Sequence, residues 1–316
     1  MKLLKQLYEI YSPSRNEKRM KKFLKYWISD NIPGAVIEHD NTGNLYITKG
    51  EAEAYPCVVA HLDQVQKTHS ADFKAVETKE IIFGYSSSNR RQEGLGADDK
   101  NGIWVALKCL ERYDQIKVAF FVGEEIGCAG SSKCMMSFFE NCRFVLQCDR
   151  RGGGDLITNI GGWTELCSTD FLKAFDYQKF GYKREHGLIT DVGTLKEQGL
   201  PVSCINISCG YYEPHTDHEF TIKSELLNCL TLVETIIDTC TGVYPHIDDD
   251  FRYGYGSCCY YGDDEYDEIY NLISDYLSYN PNAKVDEVYD LFHNEDSFLT
   301  KLDFQDMISE CNRKCL

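Results

Sequence analysis

The sequence lacks the long apolar runs of a membrane protein. No segment approaches the ~20 consecutive apolar residues of a membrane-spanning helix. The opening stretch, MKLLKQLYEIYSPSRNEKRM, is charged throughout and lacks the apolar core of a signal peptide. We therefore expect a soluble, cytoplasmic protein that has no membrane partner.

Positive charge is also scarce in this chain. Its 316 residues include 33 Lys and Arg against 50 Asp and Glu, which gives a formal net charge of -17. Most of the acidic excess lies beyond residue 240. Because such a surface repels phosphate backbones, the composition argues against nucleic acid as a partner.

The 15 cysteines form no CxxC pair, and their number is odd. Most of them lie inside apolar runs, where a thiol behaves as a small hydrophobic side chain. The sequence therefore predicts neither a disulfide framework nor a structural zinc knuckle. Hydrophobic residues make up 43% of the chain, enough to bury a core, so global disorder is not expected.

Strands alternate with helices along the first three quarters of the sequence. We predict strands at 36–38, 45–48, 57–60, 117–122, 144–148 and 202–207. We predict helices at 16–29, 101–112, 131–139, 190–198 and 224–239. Ser14 and Glu17 have the spacing of a capping box before the first of these helices. The alternation predicts an α/β fold with a mostly parallel or mixed central sheet flanked by helices.

The length allows one large domain or two modest ones. We expect residues 1–242 to form the main domain. The stretch YPHIDDDFRYGYGSCCYYG then changes the composition, which predicts a linker or extended loop over 243–262. Apolar residues return at helical spacing beyond it, so we expect a small acidic helical appendage over 263–316.

Polar residues follow the predicted strands at the points where the strands end. They are His61 and Asp63, Glu124 and Glu125, Asp149, and, in the loop after the last strand, His215 and His218. The loop GLGADDKNG adds Asp98 and Asp99 just before a helix. In an open α/β sheet, ligands bind beyond the carboxyl ends of the strands. The sequence therefore places these side chains along one edge of the sheet.

The residue types at this edge indicate a metal site. His61 and Asp63 are two positions apart, so they point to the same side, and Asp63 can support the imidazole as an outer partner. Many carboxylates converging in a poorly hydrated site repel one another and cannot all ionise. Lys100 alone cannot balance them, so bound cations are expected.

Each motif taken alone has a plainer explanation. A single HxD is common, a DDK triplet is usually a solvated helix start, and a Glu pair is usually surface charge. Asp149 could cap a turn. Two ligand alternatives also remain open, since His218 lies near His215 and Asp155 lies near Asp149. The hypothesis depends on all the motifs occurring together at strand or loop ends.

The chain resembles the co-catalytic zinc exopeptidase clan in the motifs AHLDQV, GLGADDKNGI, FFVGEEIGCAGS, LQCDR and YYEPHT. That clan includes peptidase T, glutamyl aminopeptidases, carboxypeptidase G-like enzymes and bacterial leucyl aminopeptidases. The first helix, LYEIYSPSRNEKRMKKFLKYWI, also looks like that of the clan. The resemblance covers residues 1 to about 240, and GADDKNG and GEEIGCAGS are its most specific motifs.

The resemblance implies two divalent metal ions. One would be held by His61, Asp98 and Asp149, and the other by Asp98, Glu125 and His215, with Asp98 bridging the two. Zinc is the favoured metal for histidine with carboxylates, although cobalt and manganese also suit these ligands.

The resemblance also implies roles for the neighbouring residues. Glu124 would be the general base and Asp63 would orient His61. The peptide bond between Asp98 and Asp99 would be cis, as it often is in the family.

The chain departs from the family in length. The stretch between Asp149 and Asp191 is too short for the lid domain of peptidase T. The stretch between Asp63 and Asp98 is too short for the small β domain of glutamyl aminopeptidases. We therefore expect a catalytic core without a lid, closest in architecture to the leucyl aminopeptidase type.

The sequence favours a two-metal aminopeptidase or dipeptidase, with Glu124 taking a proton from the attacking water. One alternative is an N-acyl amino acid amidohydrolase that uses the same residues. Another is a non-catalytic binding protein, which is disfavoured because no ligand or base is missing. Arg150 and Arg151 could bind a substrate carboxylate, although an ion-pairing role is preferred. The sequence leaves open the substrate preference, the oligomeric state and the role of the acidic tail.

Overall fold

The structure is a computed structural model that describes residues 1–162 and 164–247, together with residues 273, 277, 283–292, 301, 304, 305 and 308. The chain divides into two compact units, Met1–Tyr253 and Gly254–Leu316. None of the helices in the described ranges combines the length and the apolar character of a membrane-spanning segment.

The first unit is built on a sheet of nine strands. These strands are β1 (Ala35–His39), β2 (Leu45–Lys49), β3 (Tyr55–His61), β7 (Ile116–Phe121), β8 (Cys142–Arg150), β9 (Asp155–Ile160), β10 (Thr164–Glu165), β11 (Lys183–Gly187) and β12 (Cys204–Ser208). Their order is β1-β2-β7-β3-β8-β12-β9-β10, and β11 pairs with β9. The four central strands, β7, β3, β8 and β12, run parallel, and most of the outer pairings are antiparallel. The predicted mixed central sheet is confirmed.

Helices cover both faces of this sheet. They are α1 (Lys2–Tyr8), α2 (Lys18–Asn31), α3 (Ala97–Arg112), α4 (Thr169–Lys173), α5 (Asp191–Glu197) and α6 (Lys223–Thr239). Alternate side chains of β3 pack on opposite sides, since Val58 and Ala60 join one apolar cluster while Cys57 and Val59 join another. All seven residues of β3 are buried, which explains why this strand has a continuous apolar run.

The first unit also contains a second, smaller sheet of five strands. Along the chain, these strands lie close to the predicted site motifs. The five strands are β4 (Phe73–Glu77), β5 (Ile81–Ser86), β6 (Arg91–Glu93), β13 (Tyr211–Tyr212) and β14 (Phe220–Ile222). The order is β13-β14-β5-β4, and β6 pairs with β5. Because β13 and β14 flank the loop that contains His215, this sheet connects that loop to the segment before Asp98. The sequence did not predict any of these strands.

Two local predictions were wrong. No side-chain hydrogen bond caps α2, which begins at Lys18 with Glu17 at its N-cap. Ser14 lies before the cap position, and its hydroxyl donates to Asp63 Oδ2 at 2.7 Å. The predicted helix 131–139 consists of two short 3₁₀ turns, Ser131–Lys133 and Met136–Phe139. The Met135 N–H donates to the Tyr46 hydroxyl at 2.9 Å, so this backbone group is unavailable to a continuous helix.

In the described part of the second unit, helix α7 spans Val285–Phe292. Five of its buried apolar side chains form a separate small cluster: Ile273, Leu277, Val288, Phe304 and Ile308. Most of the predicted linker 243–262 lies outside the described residues, so the predicted domain boundaries stay predictions.

Candidate metal centre

His61 is the last residue of β3 and is fully buried. Its Nε2 atom lies 3.0 Å from Asp98 Oδ1, 3.6 Å from Asp149 Oδ1 and 3.9 Å from Glu124 Oε2. Its Nδ1 atom has no well-aligned hydrogen-bond partner among the described residues, and Asp63 Oδ1 lies 3.4 Å away. The imidazole is therefore surrounded by carboxylates from several parts of the chain.

Asp98 lies in an irregular turn at the start of α3. Gly96 enters the turn with φ +62°, a left-handed conformation that glycine adopts without steric cost. Asp98 and Asp99 have non-helical backbone angles, and the peptide bond between them is cis, as the resemblance implies. This turn directs the two oxygens of Asp98 to different histidines. Oδ1 faces His61, and Oδ2 lies 3.3 Å from His215 Nε2.

Glu124 and Glu125 form a single 3₁₀ turn directly after β7, with Gly123 before it at φ +62°. The backbone N–H groups of both residues donate to Asp63, at 3.0 and 3.3 Å. The side chains then diverge. Glu124 Oε2 is near His61, whereas Glu125 Oε2 is 3.0 Å from His215 Nε2.

Asp149 lies near the end of β8, where hydrogen bonds fix both its backbone and its side chain. Its N–H donates to Asn206 Oδ1 at 2.9 Å. Its Oδ2 accepts from Gln147 Nε2 at 3.1 Å, and its Oδ1 accepts from the Tyr211 hydroxyl at 3.3 Å. The carboxylate is thus held toward His61.

These residues form two sets of possible metal ligands. One set is His61, Asp98 and Asp149, and the other is Asp98, Glu125 and His215. Within each set, one ligand atom from each residue lies within 4.8 Å of the others. The two sets share Asp98. The structure therefore brings all five predicted metal-binding residues together, with Asp98 between the two sets.

The electrostatics of the site favour bound cations. Burial, followed by the charge of Asp98, raises the pKa values of both Asp149 and Glu125. Burial and the charges of Asp149 and Asp191 also raise the pKa of Glu124, although His61 opposes this. Glu125 Oε1 is buried without a hydrogen-bond partner among the described residues. Acceptor groups this close and this poorly hydrated are the donor set that divalent cations require.

Asp63 belongs to neither set of possible ligands but contacts the residues around them. Besides lying near His61, it accepts hydrogen bonds from the Ser14 hydroxyl and from the N–H groups of Glu124 and Glu125. Burial alone would raise its pKa, but His61, Ser14 and the Glu124 N–H lower it below its ordinary value. One ionised carboxylate thus links the end of β3 to the turn after β7.

Three neighbouring polar residues lie outside the ligand sets. Asp99 is fully buried and accepts from the N–H groups of His61 and Gly102, at 3.2 and 2.9 Å. Asp155 lies 3.4 Å from Arg150, and His218 is exposed. Of the open pairs, His215 and Asp149 belong to the possible ligand sets, whereas His218 and Asp155 do not.

Sequence reasoning missed two buried acids beside the site. Glu219 accepts hydrogen bonds from the N–H groups of Gly96 and Asp98, at 2.5 and 3.2 Å. Burial and the charge of Asp98 raise its pKa to about 8. Asp191 accepts from Ser131 Oγ at 2.5 Å and from Gln147 Nε2 at 3.2 Å. The only signal for these two residues in the sequence is an acidic residue next to an apolar one.

No protein-family profile and no curated protein sequence matches the chain. Solved structures do match it in fold. Aminopeptidase PepT from Bacillus cereus is similar with a TM-score of 0.59 and 14% identity, over 76% of this chain and 97% of that chain. A tripeptidase from Staphylococcus aureus is similar with a TM-score of 0.59 and 15% identity, over 75% of this chain and 96% of that chain.

An archaeal structure gives the same result. An aminopeptidase from Desulfurococcus kamchatkensis is similar with a TM-score of 0.55 and 14% identity, over 82% of this chain and 98% of that chain. Identities this low establish a shared fold and no more. The resemblance that the motifs indicate is thereby confirmed for the fold.

Proposed function

We propose that this chain is a two-metal exopeptidase, an aminopeptidase or dipeptidase that hydrolyses peptide bonds. The observation that supports the proposal most strongly is the pair of ligand sets that share Asp98. A carboxylate whose two oxygens face different histidines is suited to bridging two cations. The folds of the similar aminopeptidases and tripeptidase agree with this function.

The donor set suits two divalent cations. His61 and Asp149 would complete one site and Glu125 and His215 the other, with Asp98 common to both. When bound, such ions polarise a carbonyl oxygen and lower the pKa of water toward neutrality. Zinc is the proposed metal because imidazole and carboxylate ligands suit it.

Glu124 has the position and the environment of a general base. Its Oε2 lies 3.9 Å from His61 Nε2, beside the ligand atoms but outside both ligand sets. Its raised pKa favours acceptance of a proton. We propose that Glu124 accepts a proton from the attacking water and then donates it to the leaving amine. Asp63 keeps Glu124 in place through the backbone of the turn after β7.

The exposure of the ligands indicates how substrate reaches the site. The His215 side chain is 51% exposed, whereas the His61 side chain is fully buried. A substrate would therefore approach from the side of His215. The scissile bond would lie between this open side and the buried carboxylates.

Hydrolysis assays on a substrate panel test this function. The panel would contain aminoacyl anilides, dipeptides, tripeptides and N-acyl amino acids, with Glu124→Gln as the matched inactive protein. Turnover of free-amine peptides by the wild type and not by the variant would support the exopeptidase. Turnover of N-acyl amino acids alone would favour the amidohydrolase. No turnover of any substrate by metal-loaded protein would contradict both.

A further inference from the structure

A cavity of about 400 Å³ is lined by residues that lie close in sequence to two of the possible metal ligands. Its lining residues are Arg151, Gly152, Asp155, Tyr212, Glu213 and Pro214. Pro214 directly precedes His215, and Arg151 follows Asp149 by two positions. The two segments that line the cavity are therefore continuous with segments that supply possible ligands to the two metal sites.

The backbone of these two segments is held by hydrogen bonds. The Gly152 N–H donates to the Tyr211 carbonyl at 2.9 Å, and the Gly210 N–H donates to the Gly152 carbonyl at 2.8 Å. Ser208 Oγ donates to the Arg151 carbonyl at 2.8 Å. The base of the Arg151 side chain thus has a fixed position relative to Asp149.

The charged groups of the cavity differ in whether they already have partners. Asp155 lies 3.4 Å from Arg150 and 4.0 Å from Lys183, so its charge is compensated. Arg151 and Glu213 are exposed. Neither side chain makes an ion pair or hydrogen bond with another residue in the part of the chain that the structure describes. Among the described residues, the Arg151 guanidinium and the Glu213 carboxylate at this cavity therefore have no ion-pair partner.

We propose that Arg151 binds a carboxylate of the substrate in this cavity, an inference that rests on the proposed exopeptidase function. A guanidinium recognises a carboxylate through two parallel hydrogen bonds. Acids outnumber bases by 50 to 33 in this chain, yet Arg151 has no acidic partner among the described residues. A peptide supplies a carboxylate in two ways, at its C-terminus or in the side chain of an acidic first residue. A peptide of either kind also has an N-terminal ammonium group, which Glu213 can attract.

Kinetics on two pairs of substrates test this inference and distinguish the two sources. The first pair is alanyl-alanine and alanyl-alanine amide, which differ in the C-terminal carboxylate. The second pair is aspartyl anilide and leucyl anilide, which differ in the side-chain carboxylate. The proteins are the wild type, Arg151→Ala and the matched control Arg184→Ala, whose arginine pairs with Glu165 outside the cavity at 3.5 Å.

Arg151→Ala should raise KM for the carboxylate-bearing member of one pair by about 10-fold to 100-fold, as expected for loss of a charge-assisted hydrogen bond. The neutral members should change less than about threefold, kcat should change little, and Arg151→Lys should restore part of the loss. The pair that responds identifies which carboxylate binds.

Equal effects of Arg151→Ala and Arg184→Ala on all four substrates would overturn the proposed carboxylate site. The proposed peptidase function would not be affected by that result. Loss of all four activities to the same extent in Arg151→Ala, at unchanged Tm, would also overturn the carboxylate site, since Arg151 would then act on the reaction as a whole. Absence of activity in the wild type would overturn the proposed function together with this inference.

Discussion

The carboxylate of Glu219 accepts a hydrogen bond from the backbone N–H of Asp98, at 3.2 Å. The same carboxylate accepts from the Gly96 N–H at 2.5 Å and from Gln66 Nε2 at 3.0 Å. A residue from the loop before β14 therefore fixes the turn that positions the proposed bridging ligand. Glu219 is fully buried, so no solvent competes for these bonds.

Glu219→Gln should lower the free energy of unfolding by about 1–3 kcal/mol, the usual cost of leaving a buried hydrogen-bonding group without a matched partner. It should also weaken metal binding, because the turn that contains Asp98 loses part of its support. Chemical denaturation and metal titration would measure the two effects. Glu80→Gln, the same change at an exposed side chain, is the control and should behave like the wild type.

Glu124→Gln should reduce kcat by at least about 100-fold, because a neutral amide cannot accept the proton of the attacking water. Metal content should stay at the wild-type value, since Glu124 belongs to neither ligand set. Glu125→Gln provides the contrast, because it removes a possible ligand and should lower metal content. Activity within a few-fold of wild type in Glu124→Gln would exclude it as the base.

Asp63→Asn should weaken metal binding by about 10-fold to 100-fold, the usual effect of losing an outer partner of a ligating histidine. The amide keeps the size of the side chain but loses the charge beside His61. Ser14→Ala removes only one donor to Asp63 and should have a smaller effect. Competition with a chromophoric chelator would measure both affinities, and a larger effect for Ser14→Ala would contradict the assigned support.

His69 should make stability depend on pH. Its ring stacks between Tyr11 and Phe73, at centroid distances of 5.1 and 4.2 Å. Burial and the charge of Lys100 lower its pKa to about 4, against about 6.5 in an unfolded chain. The unfolded state therefore binds the proton first, so this group reduces stability as the pH falls from about 6.5 to about 4.

His69→Phe keeps the stacked ring and cannot titrate. Its loss of Tm between pH 7 and pH 5 should be smaller than that of the wild type, measured on chelator-treated protein so that metal release does not contribute. His39→Gln, at an exposed position, should match the wild type. An equal loss of Tm in His69→Phe and the wild type would contradict this account.

The sheet edge was predictable because strand direction and strand ends leave strong signals. The apolar run before His61, the acids after β7 and the acid near the end of β8 are enough to place these side chains together. The small five-stranded sheet was not predictable in the same way. Its strands β6 and β14 have only three residues each, and β14 pairs with β5, which lies far earlier in the sequence.

Local sequence patterns also could not predict the contacts that support the site. Ser14 has the spacing of a helix cap but donates to Asp63, and this pairing exists only once α2 lies near the end of β3. Glu219 supports a turn more than a hundred residues earlier in the chain. Such partners follow from tertiary packing, so spacing alone cannot identify them.

Metal analysis of the wild type and of Asp98→Ala tests the central claim most directly. The account predicts about two divalent ions per wild-type chain, counted by elemental analysis after dialysis, and close to none in Asp98→Ala, because both ligand sets include this residue. Loss of a single ion would contradict the bridging role. A wild-type protein that retains no metal in the presence of excess zinc would contradict the two-metal site itself.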